Sequence, residues 1–367
     1  MLSMSACVHA PPTGIGAPVD WSTLPGWHQD DMTGAWAAFK RSCDVLRQRE
    51  ADWQEICSDA DMLGEPDANL VRAFMETRFV PHAVHDAQGS AEGLVTGYYE
   101  PLLFGSTVRT SRYHYPLYRR PDDLLVVDMG TLFPELRGKR VRGRLVGNRV
   151  VPYFSRAEID HKRRPLAGHE IVWVDDPIAL FFLQVQGSGR IRLTNGEMLY
   201  VGYADQNGHP YISIGRELIN RGAMTFEEMS LQTIRAWLKA NPDDAETVLA
   251  RNPSYVFFTE RSAALDGPLG SLGVPLIAQR AIAVDPNYIP LGLPVWLDTT
   301  MPGNGDGEPY RRLVFAQDTG GAIKGPVRAD LFWGAGSAAE TYAGEMKQPG
   351  KLFVLFPRTR TLVADSH

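Results

Sequence analysis

Two aspartates, Asp318 and Asp330, flank a glycine-rich stretch within Phe315-Ala-Gln-Asp-Thr-Gly-Gly-Ala-Ile-Lys-Gly-Pro-Val-Arg-Ala-Asp-Leu-Phe-Trp-Gly334. An apolar run from Leu313 leads in as a buried strand would, and the patch Leu331, Phe332, Trp333 leads out. Glycine has no Cβ, so Gly320, Gly321 and Gly325 allow a tight loop that a bulky ligand can approach closely. Carboxylates beside a cation, Lys324, and an aromatic surface suit a polar, sugar-like substrate. The same residues equally suit a plain hairpin whose aspartates cap turns. Other motifs must decide between the two.

Three further stretches carry polar groups at strand ends. Thr96-Gly-Tyr-Tyr-Glu-Pro101 reads as a strand with a bulge or close approach at Gly97 and a stop at Pro101. Neighbouring strand residues point to opposite faces, so only one of Tyr98 and Tyr99 can serve a given site. Ala179–Gln186 is an apolar run in which Gln184 and Gln186, read as strand residues, share a face. Their amides suit hydroxyl or acetamido groups, and Gly187-Ser188-Gly189-Arg190 follows as a turn. Gly-x-Ser-x-Gly is absent, as is phosphate-loop spacing, which speaks against a nucleophile elbow and a nucleotide site. Asp285 ends another strand, Ala281–Asp285.

The elements that must position these groups fall into zones. Residues 8–20, rich in Pro, Gly and Ala, read as an extended tether. Helical periodicity follows over Thr33–Arg49, Ala51–Asp61 and Asp67–Arg78. From about residue 107 to 213 the pattern is of short strands and turns, with Gly147-Asn148 and Asn207-Gly208 as hairpin signals and Tyr211–Ile214 as a strand. Helices return from Gly215 to Ala250, with Thr225-x-x-Glu228 as a capping box. Strands resume at Val274–Ala278 and continue to Lys351–Phe356.

The bulk numbers exclude some classes. A chain of 367 residues with 44% apolar composition supports two domains or one decorated one. A net charge of -6 offers no basic face for nucleic acid, and no apolar run reaches a membrane span. Lys139–Arg144 reads as a solvated strand face. The nine histidines and three cysteines form no zinc pattern. Cys43 and Cys57 are compatible with a disulfide or with two buried thiols. Small residues before Cys7 look like the tail of a lipoprotein signal without its charged and apolar parts.

Taken together, Thr96–Pro101, Pro152-Tyr-Phe-Ser-Arg-Ala-Glu-Ile159, Phe181-Phe-Leu-Gln-Val-Gln-Gly-Ser-Gly-Arg190, Val284-Asp-Pro-Asn-Tyr-Ile-Pro-Leu-Gly292 and the Asp318–Asp330 stretch resemble, in that order, the membrane-bound lytic murein transglycosylase A family. The resemblance runs from about residue 27 to 357. It implies an α+β chain, mainly β with N-terminal helices: a double-psi β-barrel over 21–106 and 254–367, an inserted all-β domain over 107–253 with a helical C-terminal part, and a cleft between them. Residues 1–20 would be signal remnant and tether. The family cleaves peptidoglycan glycan strands without water and leaves 1,6-anhydro ends.

Carried onto this sequence, the resemblance implies Asp330 as general acid and then base, with Asp318 as its neighbour. Tyr98, Tyr99, Glu100, Gln186, Ser188, Arg190, Asp285, Lys324 and Trp333 would contact the glycan. It implies no cofactor, no metal and no nucleic-acid partner. The expected setting is a monomer in the periplasm, attached to the outer membrane through Cys7, with cell-wall synthesis or division machinery as candidate partners. Three other readings stand beside it: an aspartic peptidase, since Asp318-Thr-Gly320 mimics that signature but occurs once; a glycan-binding module; and a water-using hydrolase of the same barrel.

Overall fold

The computed structural model describes residues 14–49, 51–136, 141–160, 165–263, 265–303 and 307–358. Cys7 and part of Lys139–Arg144 lie outside them. The chain divides into two compact units. The first comprises the described residues of Met1–Tyr98, Leu269–Gly334 and Met346–His367, and the second Tyr99–Pro268 with Ala335–Glu345.

The first unit is built on a sheet of eight strands. Their order is Ile15–Pro18, Phe79–Val84, Lys347–Pro357, Pro294–Thr300, Pro309–Asp318, Ala281–Val284, Arg328–Ala335 and Gly93–Glu100. Lys347–Gly350 also pairs with Gly93–Thr96, so the last six strands close into a ring. Closure removes the free edges that an open sheet would expose. Gly93 lies at this junction, where a Cβ would fall 1.9 Å from the carbonyl oxygen of Val327. No other residue fits there without moving a strand. The strands of the ring are buried over most of their length, which explains their continuous apolar runs.

Three helices, Ala35–Leu46, Ala51–Leu63 and Ala68–Arg78, form where the apolar periodicity predicts them. Asp67 caps the third by accepting from the amides of Asn69 and Leu70. The first buries Trp36, Phe39 and Cys43, and Phe39 packs against Trp53, Phe74, Phe79 and Phe315. Gln317 pins that helix to its strand by donating to the Ala38 carbonyl and the Ser42 hydroxyl. Cys43 and Cys57 form a disulfide between the first two helices, which settles an alternative the sequence left open. Deeper in, the buried Asp30 accepts from Arg280, Arg312 and the Leu313 amide. Burial alone would push its pKa up, but these partners hold it below the usual carboxylate range.

The second unit holds a six-stranded sheet in the order Val256–Arg261, Met198–Gln206, Ser188–Leu193, Leu102–Ser106, Glu170–Val174 and Tyr115–Tyr118. A three-stranded sheet, Leu125–Val126, Arg142–Val146 and Arg149–Pro152, accompanies it. The unit is not all-β. Pro177–Gln186 is a buried helix, so the strand reading of Ala179–Gln186 is corrected. A helix apolar on nearly every side has no periodicity to distinguish it from a strand. Its boundary signals were present: Asp176 accepts from the amides of Ile178 and Ala179, Pro177 opens the first turn, and Gly187 ends it at φ 81°. Gln184 and Gln186 therefore do not share a face.

Smaller corrections follow the same physics. Tyr211–Ile214 is no strand, because Ser213 caps a helix over Ile214–Asn220. Thr225 and Glu228 do make the reciprocal bonds, but the helix starts at Leu231 behind a second box, Ser230 with Thr233. Val274–Ala278 makes only a bridge from Pro275 to Leu269, since proline has no ladder donor.

Candidate active site

The strand Ala281–Val284 sets the geometry of the first unit's carboxyls. Ala283 lies opposite Asp318 on one side and opposite Asp330 on the other. The two aspartates thus straddle a single residue, with Cα atoms roughly 10 Å apart from two strand spacings. A third strand, Gly93–Glu100, approaches with Thr96 and Tyr98 two residues apart and on one face. The Thr96 hydroxyl donates to Asp330 Oδ1 at 2.6 Å, and the Tyr98 hydroxyl donates to Asp318 Oδ2 at 2.9 Å.

The two carboxyls differ in what surrounds them. Asp318 accepts from the Ser271 amide and hydroxyl, the Thr319 amide and Tyr98. Asp330 accepts from Thr96, and the Arg328 guanidinium stands behind that hydroxyl, donating to it at 2.9 Å. Burial pushes both pKa values up. For Asp318 the four donors oppose the rise, whereas for Asp330 Arg328 and Thr96 oppose it and the negative charge of Asp318 adds to it. Asp318 is thus better solvated as an anion, and Asp330 is the better proton store.

Other residues expected in the site have other surroundings. Asp285 is buried, and it accepts from the Gly325 amide and from Asn287, which ties the glycine-rich loop to the strand end. Trp333 is 5% exposed and packs on Tyr310, leaving no open ring face for a sugar. Lys324 is exposed in the loop. Among the described residues no cluster of three His, Cys, Asp or Glu is arranged to hold a metal ion.

In the second unit Glu100 is buried and paired with Arg190 and with Arg261. Burial raises its pKa and the two guanidiniums oppose that. Gln186 accepts from the Tyr99 amide at 2.9 Å, and the Tyr99 hydroxyl donates to Glu340. Ser188 is buried at the start of its strand. Gln184 is turned inward to accept from Arg156.

The family profile "MltA specific insert domain" matches residues 94–259, and "3D domain" matches residues 280–356. Membrane-bound lytic murein transglycosylase A of Vibrio cholerae is 32% identical over 74% of this chain and 66% of its own length. The crystal structure of membrane-bound lytic murein transglycosylase from Agrobacterium tumefaciens is 34% identical, covering 94% of this chain and 98% of that one at a TM-score of 0.82. Escherichia coli MltA with bound chitohexaose is 26% identical, covering 95% and 93% at a TM-score of 0.68. The chain belongs to the membrane-bound lytic murein transglycosylase A family. The matched part spans about two thirds, 66%, of the Vibrio protein.

In the terms of this family, Asp285, Asp318 and Asp330 all fall in the 3D-domain match, and Glu100, Gln186, Ser188 and Arg190 in the insert match. Sequence reasoning did not pick out Ser271, Arg328 or Arg261, and quoted Thr96 without a role. Nothing local marks Ser271 or Arg261, since each meets its carboxylate across a long sequence separation. Thr96 and Arg328 had one available signal. Each lies two residues from a group already singled out, Tyr98 and Asp330, and so shares its strand face.

Proposed function

We propose that the protein is a lytic transglycosylase that cleaves the β-1,4 bond between N-acetylmuramic acid and N-acetylglucosamine in peptidoglycan. The carrying observation is the unlike pair at Ala283: burial raises both pKa values, but Asp330 accepts from one donor and feels the charge of Asp318, whereas Asp318 accepts from four donors. Two carboxyls whose environments differ in this way suit an acid beside a charged partner. Protonated Asp330 gives its proton to the glycosidic oxygen as the C1–O bond breaks. The muramyl C6 oxygen then bonds to C1, and its proton returns to the Asp330 carboxylate. No water is consumed, and the acid is regenerated. Asp318, whose four donors favour its anion against the rise from burial, stabilises the positive charge that develops at C1.

The reading extends to the other parts. The closed ring is proposed as a double-psi β-barrel and the first unit as the catalytic domain, with the second as the insert. Glu100, Gln186, Ser188, Arg190 and Lys324 are proposed to contact the glycan, and Asp285 to brace the loop. The E. coli relative with bound chitohexaose supports a β-1,4-linked amino-sugar chain as ligand. A periplasmic setting at the outer membrane is part of the same proposal. Among the described residues no helix is long and apolar enough to cross a membrane.

Digestion of purified peptidoglycan in ¹⁸O-water, with mass spectrometry of the products, tests the reaction. Unlabelled anhydro ends are the expected result. Labelled reducing ends would move the protein to the water-using hydrolases.

A further inference from the structure

The side chain that holds Asp330 is itself held. The Thr96 hydroxyl has one hydrogen and two lone pairs. Arg328 donates to its oxygen at 2.9 Å, and its hydrogen goes to Asp330 Oδ1. The guanidinium is anchored in turn on the backbone carbonyls of Leu94 and Ala329. These contacts tie two neighbouring strands of the ring to one carboxyl oxygen. A guanidinium bonded straight to an aspartate would hold it ionised and useless as an acid. Here the cation is set back by one hydroxyl.

We propose that Arg328 is a positioning residue for proton transfer: through Thr96 it locks the Asp330 carboxyl in one orientation, with Oδ1 occupied as acceptor and Oδ2 left to carry the proton. This rests on the reading of Asp330 as the acid. The charged and titratable groups facing Asp330 are Arg328 and Asp318, with Tyr98 beside both aspartates. An orienting role explains why Arg328 spends its other donors on backbone: the fork is fixed before substrate arrives.

The test is a double-mutant cycle of Thr96→Val, Arg328→Met and the double variant, followed by release of anhydro ends across pH. Each single change should lower kcat by at least about tenfold with KM nearly unchanged, and the double should be no worse than Thr96→Val alone. Loss of the nearby cation raises the Asp330 pKa further, so the alkaline limb of Arg328→Met should move up while kcat falls. A merely structural residue would not produce that opposition. Thr96→Ser, which keeps the hydroxyl, should restore most of the rate.

If Arg328→Met does not fold, Arg328→Lys replaces it: it keeps the charge without the fork, so it should lower kcat and leave the limb in place. Wild-type kcat in the Arg328 variant that folds, or losses that multiply in the double, would overturn the inference. Absence of anhydro ends from the wild-type protein would overturn the reading of Asp330 and this inference together.

Discussion

Asp330 in the first unit, half-buried, and Glu100 in the second, buried, both have raised pKa values, yet their surroundings differ. Glu100 faces two guanidiniums directly, Arg190 and Arg261. Asp330 meets its cation through the Thr96 hydroxyl. A directly paired carboxylate keeps its charge and serves as a fixed strut or a hydrogen-bond acceptor. A carboxyl separated from its cation can hold a proton near neutral pH and give it up. Burial raises the pKa of both, so the decisive difference is how closely the arginines approach.

The sharpest way to break this comparison is to neutralise each carboxyl. Asp330→Asn should reduce turnover on the order of 10²–10⁴-fold, the usual contribution of a general acid. Glu100→Gln should raise KM and keep kcat within about tenfold of wild type. Equal losses of kcat, measured on the same peptidoglycan, would erase the distinction. The Asp330 variant should also melt no lower than wild type at pH 7. Its folded pKa lies above the unfolded value, so ionising it in the fold is a cost at neutral pH that asparagine removes.

A third carboxyl calibrates the pair. Asp30 is buried against Arg280 and Arg312 and its pKa is lowered, so its role is stability. Asp30→Ala should cost about 3–5 kcal/mol by taking the buried carboxylate from Arg280, which is left with the exposed Asp31 as its ion-pair partner. The sign for pH follows: a lowered folded pKa contributes stability above the unfolded value near 3.9, lost as pH falls through the folded pKa. Chemical denaturation between pH 3 and 7 reads this, and a variant as stable as wild type at pH 7 would refute it. The smallest effect should come from Tyr98→Phe, which removes one of four donors to Asp318. A loss of about 1–2 kcal/mol in stability and a few-fold in kcat is expected. A kcat loss as large as that of Asp330→Asn would mean the charged neighbour matters as much as the acid.

How much of this was legible before the fold was known depends on the range of the interaction. Asp318 and Asp330 were visible because strand ends and glycine-rich turns are local signals. The N-terminal helices were visible through one-sided apolar periodicity. Pro177–Gln186 was misread because burial all round erases the period, although Asp176, Pro177 and Gly187 mark its ends. Trp333 was misjudged for a related reason: an aromatic residue beside a carboxylate looks like a sugar platform, but strand alternation turns this one into the core. Arg328 was passed over because its partners Thr96 and Leu94 are distant in sequence and meet it only through strand pairing.

The central claim is that Asp330 is the proton donor of a cleavage that leaves anhydro ends. Its most direct test is mass spectrometry of the fragments released from peptidoglycan by wild type and by Asp330→Asn, with melting curves to confirm that the variant folds. The account predicts anhydro ends from the wild type and almost none from a folded Asp330→Asn. Anhydro ends released by Asp330→Asn at near the wild-type rate would contradict it and pass the proton to another group.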